Sequence, residues 1–283
     1  MRCLERIMIK GMENERIVDG LVSIIMPSWN TERFIAESIQ SVINQTYTNW
    51  ELLIVDDCST DNTDEIVASF HDERIKYYHN EKNSGAALTR NKAMREASGE
   101  WVAFLDSDDL WTPEKLEHQI NFMKKNGYTL SFTEYEKIDE ETNPLNIYVS
   151  GPEKVTKRKM YNYDYIGQLT MMYSAKEFGL IQIKDIKKNN DYAIRLQLYK
   201  KPNTCAYLLK ENLAKYRVRR VSISHDKFRR KFRSHYDLFH MCDEKSVLVA
   251  ILFACRNMVF GYLKKKQYEI KKDCFICWQT KRM

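Results

Sequence analysis

A chain of 283 residues with 43% apolar content is long enough to bury one large core or two modest ones. Its 9 glycines, 5 prolines and lack of low-complexity segments or internal repeats argue against a long disordered linker or a repeat array. The 45 Lys and Arg against 39 Asp and Glu leave a formal charge of +6, and no nucleic-acid signature accompanies it, so nucleic acid is not an expected partner.

The first twenty residues carry little pattern and read as an N-terminal extension (1–20), with Met12 an alternative start. From 22 to 126, short apolar runs alternate with longer periodic ones. VSIIMP (22–27), ELLIVDD (51–57), IKYYH (75–79) and WVAFLD (101–106) are compact, rich in β-branched and aromatic residues, and bounded by polar clusters, which predicts strands. Between them Ile35, Ile39, Val42 and Ile43 recur at helical spacing, and 86–97 and 113–126 also suit helices. The last opens with Thr112 as N-cap, Pro113 at the first helical position and Glu114 beside the helix dipole. This alternation predicts an α/β fold with a mostly parallel central sheet flanked by helices and right-handed crossovers.

After 126 the alternation weakens. TLSFTEYEKID reads as a strand, ETNP as a turn, 151–185 as basic and tyrosine-rich without a clear period, 191–200 as a helix, and CAYLLKENLAKYRV as extended. Residues 127–225 are therefore expected to build a second, acceptor-binding half onto a nucleotide-binding half at 21–126. The run RVRRVSISHDKFRRKFR (217–233) holds eight Lys or Arg against one Asp, and it reads either as a solvated face or as a surface for phosphate or anionic membrane. SVLVAILFACRNMVFGYL (246–263) carries Arg256 and Asn257 mid-span and KKK directly after, so an interfacial or packed helix is expected rather than a crossing one. Residues 226–283 thus form a basic, amphipathic C-terminal helical region. Seven scattered cysteines and no signal-like apolar start point to a reducing cytoplasm, peripheral on the inner membrane face; the lone Cys274–Cys277 pair lacks the partners of a zinc site.

In parallel α/β sheets, ligands lie beyond the carboxyl ends of the strands. The polar clusters there are PSWN (27–30), DDCSTD (56–61) and DSDD (106–109). Asp106, Asp108 and Asp109 sit directly behind an apolar run, although like charges repel and resist leaving water. Carboxylates at such a mouth suit a hard divalent cation, Mn2+ or Mg2+, neutralising a diphosphate.

The ordered motifs from LVSIIMPSWN through ESIQSVINQTYTNWELLIVDDCSTDNT to NSGAALTRNKAMREASGEWVAFLDSDDLWTPEKLE resemble glycosyltransferase family 2, the inverting nucleotide-sugar transferases of the Rossmann-like GT-A fold. NNDYAIRLQL and LAKYRVRRVSIS are similar to the family's acceptor-side helix and closing loop. The resemblance implies that Pro27 and Asp57 border the nucleobase, Asp57 accepting the imide N–H of uracil, which favours UDP as carrier. Trp29 stands where the family has tyrosine. Arg90 would lie near the diphosphate, Asp106 near ribose and metal, and Asp108 on the metal, with Asp109 orienting the loop. Asp191, preceded by Asn190 instead of the family's glutamate, would be the base, while Arg217, Arg219, Arg220 and Ser222 would close over the diphosphate. From the residues alone, Asp57 also suits a turn or cap, Arg90 a surface helix and Asp191 an N-terminal helix charge, each ranked below the site role.

The expected activity is transfer of a single sugar from a UDP-sugar to a hydroxyl of a glycan or lipid-linked glycan during cell-surface polysaccharide synthesis. A processive synthase is disfavoured, because a Q-x-x-R-W motif and multiple spans are missing. A nucleotidyltransferase would carry a glycine-rich phosphate loop where this chain has PSWN; a degenerate, membrane-associated nucleotide binder is the remaining alternative.

Overall fold

A computed structural model describes residues 17–219 and 228–271, so Arg220, Ser222, His225, Cys274 and Cys277 lie outside the described residues. The first half alternates as expected: β1 (Val18–Ser28), α1 (Ile35–Ile43), β2 (Trp50–Asp56), α2 (Thr63–Ala68), β3 (Ile75–His79), α3 (Gly85–Glu96), β4 (Gly99–Phe104), β5 (Leu110–Trp111) and α4 (Lys115–Asn126). The second half comprises β6 (Leu130–Ile138), β7 (Pro144–Val149), β8 (Lys154–Thr156), α5 (Lys157–Asn162), β9 (Met172–Ser174), α6 (Ala175–Phe178), α7 (Asn190–Leu198) and β10 (Cys205–Arg217). It ends with α8 (Phe228–Asp237), a π-helical turn at Leu238–Cys242, α9 (Val247–Tyr268) and β11 (Glu269–Lys271).

The strands share one mixed sheet whose main path runs β11-β7-β6-β9-β4-β1-β2-β3. The first half, β4-β1-β2-β3, is wholly parallel. Past β4 the path continues antiparallel through β9, β6 and β7, while β10 runs parallel to β6. The sheet therefore crosses residue 126 without a break. The inner parallel strands β1, β2 and β4 are buried on both faces over most of their length, which explains continuous runs such as ELLIV, while the edge strand β3 is only half-buried. Ile24, Leu52 and Ile54 meet α1 and α4 on one face, whereas Ile25, Leu53 and Val55 meet α3 and α7 on the other.

Two local expectations change. Thr112 does not cap α4 with its hydroxyl, which is buried without a partner. The Pro113 turn delays the helix to Lys115, and Thr112 instead offers its carbonyl to the Lys115 N–H (3.2 Å) and Gln45 Nε2 (2.7 Å). Helix α2, absent from the periodicity reading, is held at its start by Asp61, whose carboxylate accepts the Thr63 N–H at 3.1 Å. Trp101 and Trp111 are core residues, and Trp111 Nε1 donates to the Leu169 carbonyl at 2.7 Å.

Helix α9 is long and apolar enough, by length and composition, to cross a membrane. It packs on α8 through one face, burying Ala250, Ala254 and Asn257, and leaves Leu248 80% and Val259 60% exposed. β11 then pairs antiparallel with β7 and returns the chain to the sheet.

Candidate active site

Register brings the three polar loops to one edge. Ser28 at the end of β1 lies opposite Asp56 at the end of β2, the Asp57 N–H donates to the Ser28 carbonyl (2.9 Å), and the Leu105 N–H donates to that of Ile25 (3.1 Å). Pro27 is half-buried in the β1–β2 pairing, and Trp29 stands 54% exposed on the loop beyond. Asn30, at φ 50°, ties this loop to the next one by accepting the Thr60 N–H (2.8 Å) and donating its own N–H to Ser59 Oγ (2.8 Å). The Asp57 carboxylate is buried and takes the N–H groups of Ser84 and Gly85 and the Asn80 amide, each at 2.7 Å. It thus fastens the N-terminus of α3 while keeping some acceptor capacity, since a carboxylate offers about four lone-pair sites.

Arg90 lies one and a half turns along α3. Its Nη2 donates to Asp106 Oδ1 at 2.5 Å and its Nη1 donates to Asn190 Oδ1, so one buried guanidinium bridges the acidic bend and the start of α7. Asp106 and Asp108 are partly exposed, and Arg219 Nη1 lies 3.5 Å from Asp108 Oδ2. Burial and the neighbouring Asp106 push the Asp108 carboxyl above its ordinary value against the pull of Arg219 and Arg217. Asp109 is driven further up by burial, Asp108 and Asp106, and its Oδ1 accepts the Arg217 N–H at 2.9 Å. It orients the bend, as expected. A mouth in which neighbouring carboxylates raise the pKa of Asp108 and Asp109, with each of Asp106 and Asp108 holding a single side-chain partner among the described residues, fits a hard divalent cation.

Asp191, in the first turn of α7, is 41% exposed and accepts from Arg195 Nη2 at 3.0 Å. Burial works to raise its pKa, but Arg195 and Arg90 outweigh burial and hold the carboxyl below its ordinary value. Arg195 is itself fully buried and donates to both Asp164 oxygens and to Gln168 Oε1 (2.5 Å). Asp191 is therefore an ionised carboxylate within the influence of the Arg90 guanidinium, the same group that holds Asp106.

Arg217 is placed differently from the role the resemblance implies. Its side chain is 0% exposed; Nε donates to the Asp108 carbonyl (2.8 Å), Nη1 to the Glu140 carbonyl (3.0 Å) and Thr142 Oγ1 (2.8 Å), and Nη2 to Glu37 Oε2 (2.7 Å). All these partners are within the protein, so Arg217 anchors the acidic bend from behind.

Residues 23–182 match the family described as Glycosyl transferase family 2, more than half of the chain. The chain belongs to that family. A Bacillus subtilis protein bearing the name teichuronic acid biosynthesis glycosyltransferase TuaG is 43% identical over 74% of this chain and 83% of its own length. An Escherichia coli protein named UDP-Glc:alpha-D-GlcNAc-diphosphoundecaprenol beta-1,3-glucosyltransferase WfgD is 39% identical over 89% of this chain and 98% of its own. The structure of S. aureus TarS 1-349 in complex with UDP-GlcNAc superposes with a TM-score of 0.63 at 22% identity, over 82% of this chain and 70% of that one. The fold is GT-A, and the chain is a glycosyltransferase.

Within this family 2 transferase, several site residues carry no motif signal. Asp164 and Gln168 come to Arg195 from an aperiodic segment, and only the Asp191–Arg195 spacing of four, correct for a helical ion pair, hinted at a partner. Tyr216 is drawn to the same neighbourhood: burial raises its pKa, with Asp109, Asp108, Asp106 and Asp191 adding to the rise. A second group, Asp56, Asp64 and His79, has ligand atoms within 4.8 Å of one another. Both Asp56 oxygens there already accept from Ser59, its N–H at 2.7 Å and its hydroxyl at 2.5 Å.

Proposed function

We propose that this transferase moves a single sugar, with inversion, from a UDP-sugar to a hydroxyl of a lipid-linked glycan during cell-surface polysaccharide synthesis. It would work on the cytoplasmic face of the membrane. The observation that carries this reading is the Arg90 bridge, which sets the acidic bend and the Asp191 carboxylate side by side. The names borne by the B. subtilis and E. coli relatives supply the acceptor class, and the exposed apolar stripe of α9 beside the basic α8 supports peripheral attachment.

In this mechanism Pro27 and Trp29 flank the nucleobase, and Asp57 accepts the uracil imide N–H with its remaining lone pair. Asp106 and Asp108 provide oxygen ligands for Mn2+ or Mg2+, whose chemistry when bound is neutralisation of the leaving diphosphate. Arg90, already charged and buried, is the protein's own cation for the same phosphates. Asp191 takes the proton of the acceptor hydroxyl as that oxygen bonds to the anomeric carbon. The bond from the anomeric carbon to the diphosphate breaks on the opposite face, and its electron pair leaves with UDP. A base held ionised by Arg195 and Arg90 is ready at neutral pH. Arg219 is the described residue of the closing loop best placed to follow the donor, since its present partner is Asp108 itself.

Thermal-shift titration with UDP and Mn2+, followed by UDP release from a panel of UDP-sugars, tests the proposal. Stabilisation is expected for the parent chain and for Asp191→Asn, with metal-dependent stabilisation lost in Asp108→Ala and transfer lost in both. Absence of any UDP effect overturns the reading, and stabilisation without turnover by any donor favours a degenerate nucleotide binder.

A further inference from the structure

A cavity of about 570 Å³ lies outside the donor crevice, between the loop that precedes α7 and the length of α8. Five cations line it, Lys187, Lys188, Arg229, Arg230 and Arg233, against two carboxylates. One of those carboxylates, Asp237, is already paired with Arg233 at 2.9 Å. Lys187, Arg229 and Arg230 form no ion pair among the described residues. The cavity is also apolar, through Ile186, Met241 and the aliphatic stems of the basic side chains. Cations around an apolar lining match an amphiphile with a phosphate head and a hydrocarbon tail.

Its position relates it to the transfer site. Lys188 precedes Asp191 by three residues, so their Cα atoms are at most about 11 Å apart. On the other wall, His235 is buried on α8 close enough to Asp191 for that charge to act on it. Lys184 fixes the loop against this wall by donating to Glu244 Oε1 (2.7 Å) and the Met241 carbonyl (3.1 Å). α8 in turn packs on α9, whose exposed stripe continues the apolar surface.

We propose that this cavity is the seat of the acceptor's diphosphate. An alkyl diphosphate bearing the acceptor sugar would place its phosphates among Lys187, Arg229 and Arg230, its first hydrocarbon units against Ile186 and Met241, and its sugar hydroxyl at Asp191. The inference rests on the lipid-linked acceptor proposed above and adds the residues that recognise it.

The test uses the full chain and the triple variant Lys187→Ala/Arg229→Ala/Arg230→Ala, whose replaced side chains are all exposed. Farnesyl diphosphate is the probe and farnesol its phosphate-free control, both titrated in detergent with UDP and Mn2+ present. Farnesyl diphosphate is expected to bind the parent alongside UDP, farnesol far more weakly, and the triple variant to lose roughly tenfold or more in farnesyl diphosphate affinity while keeping its UDP response. Equal affinity in parent and variant, or displacement of farnesyl diphosphate by UDP, overturns the proposal. Phosphatidylglycerol vesicles separate the two phosphate sources: a variant that leaves the vesicles yet binds farnesyl diphosphate normally assigns the cations to lipid headgroups and also overturns it. A parent chain that ignores UDP would instead fail the transfer reading itself, whereas one that binds UDP but not farnesyl diphosphate sinks only this inference.

Discussion

Replacing Arg217 by Met keeps the length of the side chain and removes its fork of donors. The Asp108 and Glu140 carbonyls lose the Arg217 donor in a part-buried region, while the Asp139 carbonyl keeps the Thr142 N–H (3.2 Å) and the Thr142 hydroxyl keeps Glu37 (2.8 Å). Glu37 also loses Arg217, but it keeps the Thr142 hydroxyl, is 51% exposed and regains water, so it adds little. Two carbonyls at about 1.5 kcal/mol each give about 3 kcal/mol, at the low end of the ~3–5 kcal/mol typical of breaking a buried charged network. For a chain of this size that corresponds to a fall in melting temperature of roughly 10 °C. Differential scanning calorimetry measures it, with UDP affinity determined well below the transition. Because the guanidinium acts behind the bend, the melting temperature should drop strongly while UDP affinity changes only modestly once unfolded protein is discounted. A variant that melts within about 2 °C of the parent but no longer binds UDP would show that Arg217 acts on the ligand, and the anchoring account would be refuted.

Three further outcomes are expected. The pKa of Asp191 is lowered in the fold, so its ionised form contributes stability above the ordinary carboxylate pKa and loses it as pH falls through the lowered value. At saturating Mn2+, which would keep Asp108 ionised, the acid limb of kcat/KM should therefore lie below about pH 4, and a limb between about 5 and 6 under those conditions would exclude Asp191 as the base. Lys115 Nζ is buried without a hydrogen-bond partner, 3.7 Å from the Trp111 ring centroid, and burial pushes its pKa well down. The unfolded chain binds the extra proton, so parent stability should rise with pH toward about 10; Lys115→Met should remove that slope and raise the melting temperature at pH 7, as urea titrations at several pH values would reveal. A Cβ on Gly99 would sit 2.6 Å from both the Leu21 carbonyl and the Ser23 nitrogen of β1, main-chain atoms that cannot step aside. Gly99→Ala should cost about 1–3 kcal/mol by chemical denaturation, through a shifted midpoint with an unchanged slope.

The first half was readable because its inner strands are covered on both sides and its helices on one, leaving uninterrupted apolar runs and a clean helical period in the sequence. Loops at strand ends then followed from parallel topology, and with them the convergence of 27–30, 56–61 and 106–109. Strands β5, β8 and β9 are two or three residues long, too short for any period, and are defined by partners such as Ala214 and Val102 far along the chain. Arg217 shows a similar limit: a basic cluster looks solvated, yet this member is wholly buried because Glu37, 180 residues away, and the turn at 139–142 close around it. The Asp164–Arg195 pair, 31 residues apart in an aperiodic region, was invisible for the same reason.

The short pairing of β11 with β7 has a mechanical result. It clamps the far end of α9 to the sheet that carries the transfer residues, while α8 grips the near end. The helix therefore behaves as a keel, not a tether: whatever surface settles on its apolar stripe also sets the heading of the catalytic mouth. Cutting the chain just before Glu269 would release that keel and bare the edge of β7, leaving the enzyme free to attach without being aimed.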